Sequence, residues 1–398
     1  MAYLKNRAIN FLNLHYALHA LVMNGAGVFW AVYLLKAGVP TPAVFGSLAL
    51  LLAARFVFRP TILLLAPRFG LRTLVAFGTV FSALQYLVLA EVHGVDLMLL
   101  LLCIVGAIGD TFYWTCYHAY FAALGDIEHR AKQISAREAA GSFSAIVGPL
   151  IGGWTLMTLG PHAAFGAAAV VQVLCALPFL GTPDVKVKRT VEGGFSSAIP
   201  GVLLFAADGW IAAGYVFAWQ IALFLTLGEN FSAFGGVLAL AAVVGAVAGL
   251  FLGKHIDAGR GLRAVWLTFG SLAAVTILRA ISTHDVAMAV VANALGALAV
   301  CLYMPTVMTP VYNLAKRSPC PLRFHVATEG GWDIGGASGC LAVAALPALG
   351  APPSFAILLS LLGAGLSLYL LRRYYSGAGI VAGRVIAESE PEPNLLQA

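Results

Sequence analysis

Long apolar runs separated by short polar stretches set the pattern of this chain. A helix needs about 20 mostly apolar residues to cross a bilayer. Runs of that kind fall near 8–35, 43–66, 73–91, 97–124, 137–158 and 163–181. A polar stretch follows at 182–197, and six more runs lie near 199–226, 233–253, 264–282, 285–314, 327–349 and 354–372. The pattern predicts an all-α membrane protein with twelve transmembrane helices in two six-helix bundles. The bundles would occupy 1–181 and 199–372, with a cytoplasmic linker at 182–198 and a cytoplasmic tail at 373–398. The acidic, proline-bearing end of that tail reads as disordered. The basic N-terminus leads into an apolar run without a clear cleavage site, so this run reads as an uncleaved first helix.

Composition narrows the class. Apolar residues make up 61% of the 398, and charged residues 10%, against roughly 25% charged in a soluble domain. Mean hydropathy is +0.90. Too few polar residues remain to cover a soluble surface. A soluble enzyme, a disordered chain and a nucleic-acid-binding module are excluded. Cys103, Cys116, Cys175, Cys301 and Cys340 fall in apolar runs and Cys320 in a basic loop. They give no disulfide framework, and no metal site or cofactor is expected.

Basic residues in short loops mark the cytoplasmic face. With the N-terminus inside, all but four of the 23 Lys and Arg lie on that side or its tails; the exceptions are Lys36, Arg55, Arg59 and Arg279. Both termini are therefore expected in the cytoplasm, with the protein in an inner (plasma) membrane. The halves also look repeated and pseudo-symmetric. Gly70-Leu71-Arg72 recurs as Gly261-Leu262-Arg263, at an offset of 191 that also relates Glu138 to Glu329 and Gly148 to Gly339. Parallel repeats of this kind build transporters with a site between the halves.

Two local motifs complete a resemblance. Gly253-Lys-His-Ile-Asp257-Ala-Gly259-Arg260-Gly261-Leu-Arg263 is similar to the signature loop of the major facilitator superfamily, and Gly148-Pro149-Leu-Ile-Gly152-Gly153 to its antiporter-associated Gly-Pro motif. With the six-plus-six layout and the basic central loop, the chain resembles that family over nearly its whole length. It departs at Pro67, where the family usually has Asp, and at Cys103, near which many proton-driven members carry an Arg. The resemblance implies a secondary transporter with spans one, four, seven and ten around a central cavity. It also implies a cytoplasmic latch, in which, in the outward-open state, Arg68 or Arg72 meets Glu329 or Asp333, while the second-half loop with Asp257, Arg260 and Arg263 approaches Glu138.

Ionisable groups at membrane depth are costly and point to function. Asp110 sits in mid-span four, with Trp114, Tyr117 and Phe121 on one helical face and His118 a turn beyond Trp114. Arg55 needs an anionic partner, Asp110 or an anionic substrate, whereas Arg59 is expected to snorkel to the inner surface. His19 in span one is a cavity candidate, and His15 a weaker one. In span seven, Asp208, Tyr215 and Trp219 share a stripe. Asp208 and Asp333 could serve either the gate or the substrate site. Met304 lies in span ten, made irregular by Pro305 and Pro310. The aromatic residues of spans four and seven suit an aromatic-walled cavity.

The sequence holds no metalloprotease, serine-hydrolase or Walker motif and no domain to bind ATP, so the chain is not expected to be an enzyme. An intramembrane enzyme using Asp110 and His118, and a non-transporting sensor or assembly factor, stay open as minor alternatives. The expected activity is secondary active transport of a small organic solute by alternating access, with the proton as coupling ion. The Gly-Pro motif and aromatic wall favour efflux of an amphipathic or aromatic compound; Arg55 favours an organic anion moving either way. The expected partners are the lipid bilayer, the solute and the coupling ion, and no nucleic acid.

Overall fold

The computed structural model describes residues 6–125, 130–187, 195–256 and 261–376. Asp257, Arg260 and the tail beyond 376, all with roles assigned above, lie outside the described residues. Twelve described helices are long and apolar enough to span a membrane. In the first half they are Arg7–Lys36, Thr41–Phe58, Leu71–Ala90, Leu97–Leu124, Ala136–Thr158 and Gly160–Gly181. In the second they are Ser196–Thr226, Phe231–Gly249, Gly261–Ile281, Val286–Arg317, Pro321–Leu349 and Ser354–Tyr375. These are spans one to twelve below. A helix satisfies its own backbone, which the bilayer core requires.

Local chemistry explains where the helices start, break and stop. The side chains of Asp96 and Asp285 accept hydrogen bonds from the backbone N–H groups of Leu99 (2.9 Å) and Met288 (2.7 Å), capping spans four and ten. The exposed Asp96 carboxyl is held below the usual carboxylate range by that bond. Span two ends at Phe58 and continues as a short helix, Pro60–Phe69, because Pro60 has no N–H to donate. Spans one and seven end alike. Val39 N–H reaches back to Leu34 and Glu229 N–H to Phe224, over Gly38 and Gly228 at φ 84° and 69°. That left-handed turn suits glycine.

The repeat is visible in packing. Span five crosses span one, and span eleven crosses span seven, each with little side chain between. A Cβ on Gly148 would meet Asn24 and Gly25; one on Gly339 would meet Ala213 and Trp210. Small residues let backbones approach closely where lipid supplies no hydrophobic drive. Gly152 and Gly335 are tightest, set against the carbonyls of Gly25 and Ala206.

The halves meet along two seams, span two on eleven and span five on eight. At the end away from the termini, Phe29 of span one packs edge-on to Phe231 and Phe234 of span eight. Lys36 and Glu229 pair there at 3.0 Å, both well exposed.

Candidate functional site

A buried charge cluster ties span two to spans four and eleven. Arg59 donates to Asp333 from Nε (2.9 Å) and Nη2 (2.5 Å), and to Thr115 from Nη1 (2.7 Å). Arg55, one turn earlier, has three carboxylates around it: Asp333 at 3.1 Å, Asp110 at 3.4 Å and Glu329 at 3.7 Å. Glu329 is also 3.9 Å from Arg59. Asp333 is fully buried, whereas the Asp110 and Glu329 side chains are 23% and 16% exposed. The ring of Trp332 lies 5.4 Å from the Arg55 guanidinium. The cluster holds two guanidiniums and three carboxyl groups, so with all three ionised one negative charge would be in excess.

Two further polar groups border it. Asp208 of span seven accepts from Tyr303 Oη (2.5 Å) and Trp332 Nε1 (3.0 Å). Trp332 thus contacts both Asp208 and Arg55. His118 of span four stacks with His325 of span eleven, rings 6.4 Å apart. His325 sits one turn before Glu329 on the same helix.

A cavity of about 910 Å³ lies between spans five, seven, eight, nine and ten. It reaches from exposed Glu138, near the end that carries the termini, to buried Arg279 near the other end. Tyr215, Trp219, Asn293 and Met304 line it. The backbone of span seven widens into a π-helix at Ala213–Ala218, a distortion frequent at functional sites. Tyr215 sits in that turn and Trp219 just after it.

Several expectations change. Arg59 does not snorkel: it is 2% exposed and bonded to Asp333. Arg68 and Arg72 do not reach Glu329 or Asp333. Arg72 binds the segment after span six, through its backbone N–H to Asp184 and its guanidinium to the Thr182 carbonyl, and exposed Arg68 lies over Phe69. Glu138 pairs with its neighbour Arg137, and Arg263 is exposed at the start of span nine. The contacts to Glu329 and Asp333 are made by Arg55 and Arg59 instead, nearer the middle of span two.

His19 is 2% exposed inside the first bundle, beside Gln172 and against Tyr113 (4.0 Å). His15 contacts the Cys175 carbonyl and Tyr113 Oη. Tyr117 also turns into that bundle, stacked on Tyr113 and Tyr16. Asp110, Trp114 and His118, spaced by four, form the less buried face of span four. Arg279 and Asn293 carry no assignment from the sequence alone. The signal available was Arg279 itself, one of the four basic residues off the basic face.

Twelve apolar helices in two halves, with ionic groups enclosed between them, define a polytopic membrane protein. The chain belongs to the Major Facilitator Superfamily, whose family model matches residues 12–320. No curated protein matches it. Solved structures share the fold at low identity. An auto-inhibited POT family peptide transporter is 14% identical, with TM-score 0.62 over 98% of this chain and 99% of its own. The human organic anion transporter MFSD10 (TETRAN) is 16% identical, with TM-score 0.65 over 92% and 99%. The POT family transporter PepTSo is 12% identical, with TM-score 0.64 over 94% and 98%.

Proposed function

We propose that this transporter works by alternating access and couples movement of a small organic solute to protons through the Arg55–Arg59 cluster. The observation that carries the reading is the charge imbalance: three carboxylates against two guanidiniums, where span two meets span eleven. An uncompensated charge away from water is costly, and taking up a proton removes it. Asp110 is the carboxylate suited to that role. It has one cation at 3.4 Å and the greatest exposure of the three. Protonating Asp110 frees Arg55 to bind Glu329 and Asp333 alone, which alters the grip between the halves. Proton occupancy and cavity access are then linked, as coupled transport requires.

In this reading the latch between halves is Arg55 and Arg59 on Asp333 and Glu329. Asp208, held by Tyr303 and Trp332, connects span seven to the same group. Both termini face the cytoplasm, because the basic residues gather at that end, and the membrane is the inner (plasma) membrane. The Gly-Pro motif in span five and the aromatic residues at the cavity favour an antiporter that exports an amphipathic or aromatic compound. Arg55 is an unsuitable anion receptor, since three carboxylates already surround it.

The test uses purified protein in liposomes with an imposed pH gradient and a solute chosen by thermal-shift screening of organic anions and cations. Wild type should concentrate the solute. Asp110→Asn should lose that accumulation and keep solute exchange. If Asp110→Asn concentrates solute as well as wild type, Asp110 is not the coupling group. If wild type moves no solute, the carrier reading fails in favour of a sensor or assembly role.

A further inference from the structure

Arg279 differs from the other two arginines inside the bundles. Its side chain is 5% exposed, yet it forms no ion pair with any described residue. A buried cation normally has a paired anion. What holds Arg279 is a neutral cradle. The guanidinium lies 4.1 Å from the centroid of the Tyr215 ring and 4.9 Å from that of Trp219. Its Nη1 donates to the Tyr215 carbonyl at 2.8 Å, within the π-helical turn of span seven. Its Nη2 packs on Gly296, where any Cβ would collide with it. Its Nε has no hydrogen-bond partner. Five donors are available on a guanidinium, so the cradle leaves capacity unused.

The surroundings are fixed around it. Trp219 Nε1 donates to Asn293 Oδ1 (2.9 Å), and Asn293 Nδ2 donates to the Val237 carbonyl (3.2 Å). Tyr215 Oη donates to the Gly296 carbonyl (3.2 Å). Both rings are thereby locked beside the cation. Arg279, Tyr215, Trp219, Asn293 and Gly296 all line the 910 Å³ cavity, a volume within the range of small-molecule sites. Apart from Gln220, the rest of the wall near them is apolar, including Val216, Leu238 and Val300. The other charged lining residue, Glu138, is at the opposite end of the cavity.

We propose that Arg279 is the anion-binding group of this cavity and that the solute is an aromatic or amphipathic monoanion. Its carboxylate would meet the guanidinium, and its apolar body would lie along the Trp219 side of the wall. The inference deepens the carrier reading by naming a substrate class, and it rests on that reading in taking the cavity as the solute site. A purely structural Arg279 would brace the π-turn and show no preference for anions.

Equilibrium binding separates the two. Purified protein in phosphatidylcholine nanodiscs is titrated with 1-naphthoate and, as a neutral match, 1-naphthamide, following tryptophan fluorescence and thermal stability. Wild type should bind naphthoate more tightly than the amide. Arg279→Gln should weaken naphthoate by about tenfold, equivalent to about 1.4 kcal/mol, and leave the amide nearly unchanged. Arg279→Lys should retain part of the preference. Trp219→Phe should weaken both ligands together, and it serves as the second variant if Arg279→Gln does not fold. Equal binding of acid and amide by wild type overturns the proposal, as does an Arg279→Gln that keeps the preference. Replacing part of the phosphatidylcholine with phosphatidylglycerol tests a lipid head group as occupant; loss of naphthoate binding there also overturns the solute assignment. None of these readings needs flux. Arg279-dependent anion binding without transport would sink the carrier reading, and with it the solute assignment, and leave Arg279 as an anion-binding group.

Discussion

Arg59 and Asp333 stand 274 positions apart in the chain, and their side chains meet through two hydrogen bonds of 2.9 and 2.5 Å. One residue belongs to the first half and the other to the second, and both are almost fully buried. Removing one partner from such a pair strands the other charge. Replacing both with apolar groups strands neither, although Arg55 then loses an anion at 3.1 Å. We expect Arg59→Met or Asp333→Leu alone to destabilise by about 3–5 kcal/mol. The double variant should recover a substantial part. Thermal unfolding in detergent measures all three, and additive losses would contradict the pairing.

The clamp on the segment after span six is a second, weaker expectation. Arg72 makes hydrogen bonds to Asp184 and Thr182, whereas among the described residues Arg68 lies over the Phe69 ring alone. Arg72→Ala should cost about 1 kcal/mol, the scale of a hydrogen bond lost at a partly exposed site. Arg68→Ala should cost less. Unfolding midpoints compare them directly, and an Arg68 effect equal to that of Arg72 would refute the assignment.

Glycine packing sets a third. A Cβ on Gly335 would strike the Ala206 carbonyl, while one on Gly365 would meet no described residue outside its own helix turn within 4 Å. Gly335→Ala should destabilise by about 1–3 kcal/mol through overpacking. Gly365→Ala should leave stability unchanged or raise it slightly, because alanine suits a helix better. Yield of monodisperse protein together with melting temperature would show the contrast.

Topology gives a fourth. A cysteine at Gly94, between spans three and four, should react with a membrane-impermeant maleimide added outside intact cells. A reporter fused after the tail should be active only in the cytoplasm. Labelling of Gly94→Cys only after permeabilisation would reverse the assigned orientation.

Helices were readable from the sequence because hydropathy is local. Span four was expected at 97–124 and is found as Leu97–Leu124. Span two was expected as one run, and the break at Arg59–Pro60 divides it. The approach of Asp110 to Arg55 was also accessible, since two opposite charges at similar depth seek each other. The network beyond that pair was not. Asp333 reaches Arg59 only because span eleven packs on span two, and no spacing along the chain encodes which helices touch. The same limit hid Arg279. A lone arginine near the end of span nine carries no assignment until Tyr215, Trp219 and Gly296 are seen around it.

Spans one and seven occupy equivalent places in the two halves, yet their winding errs in opposite senses. Span one is overwound by a 3₁₀ turn at Gly27–Phe29, and span seven is underwound by the π-turn at Ala213–Ala218. A tighter or looser turn shifts the angular phase of everything after it. Beyond the breaks, Trp30, Tyr33 and Trp219 all pack into the core, and Trp219 alone of the three also borders the cavity. The two jaws of the molecule are thus alike in outline and unlike in grip. A chimera carrying span one in place of span seven would keep the outline and lose the side of the vice that holds the load.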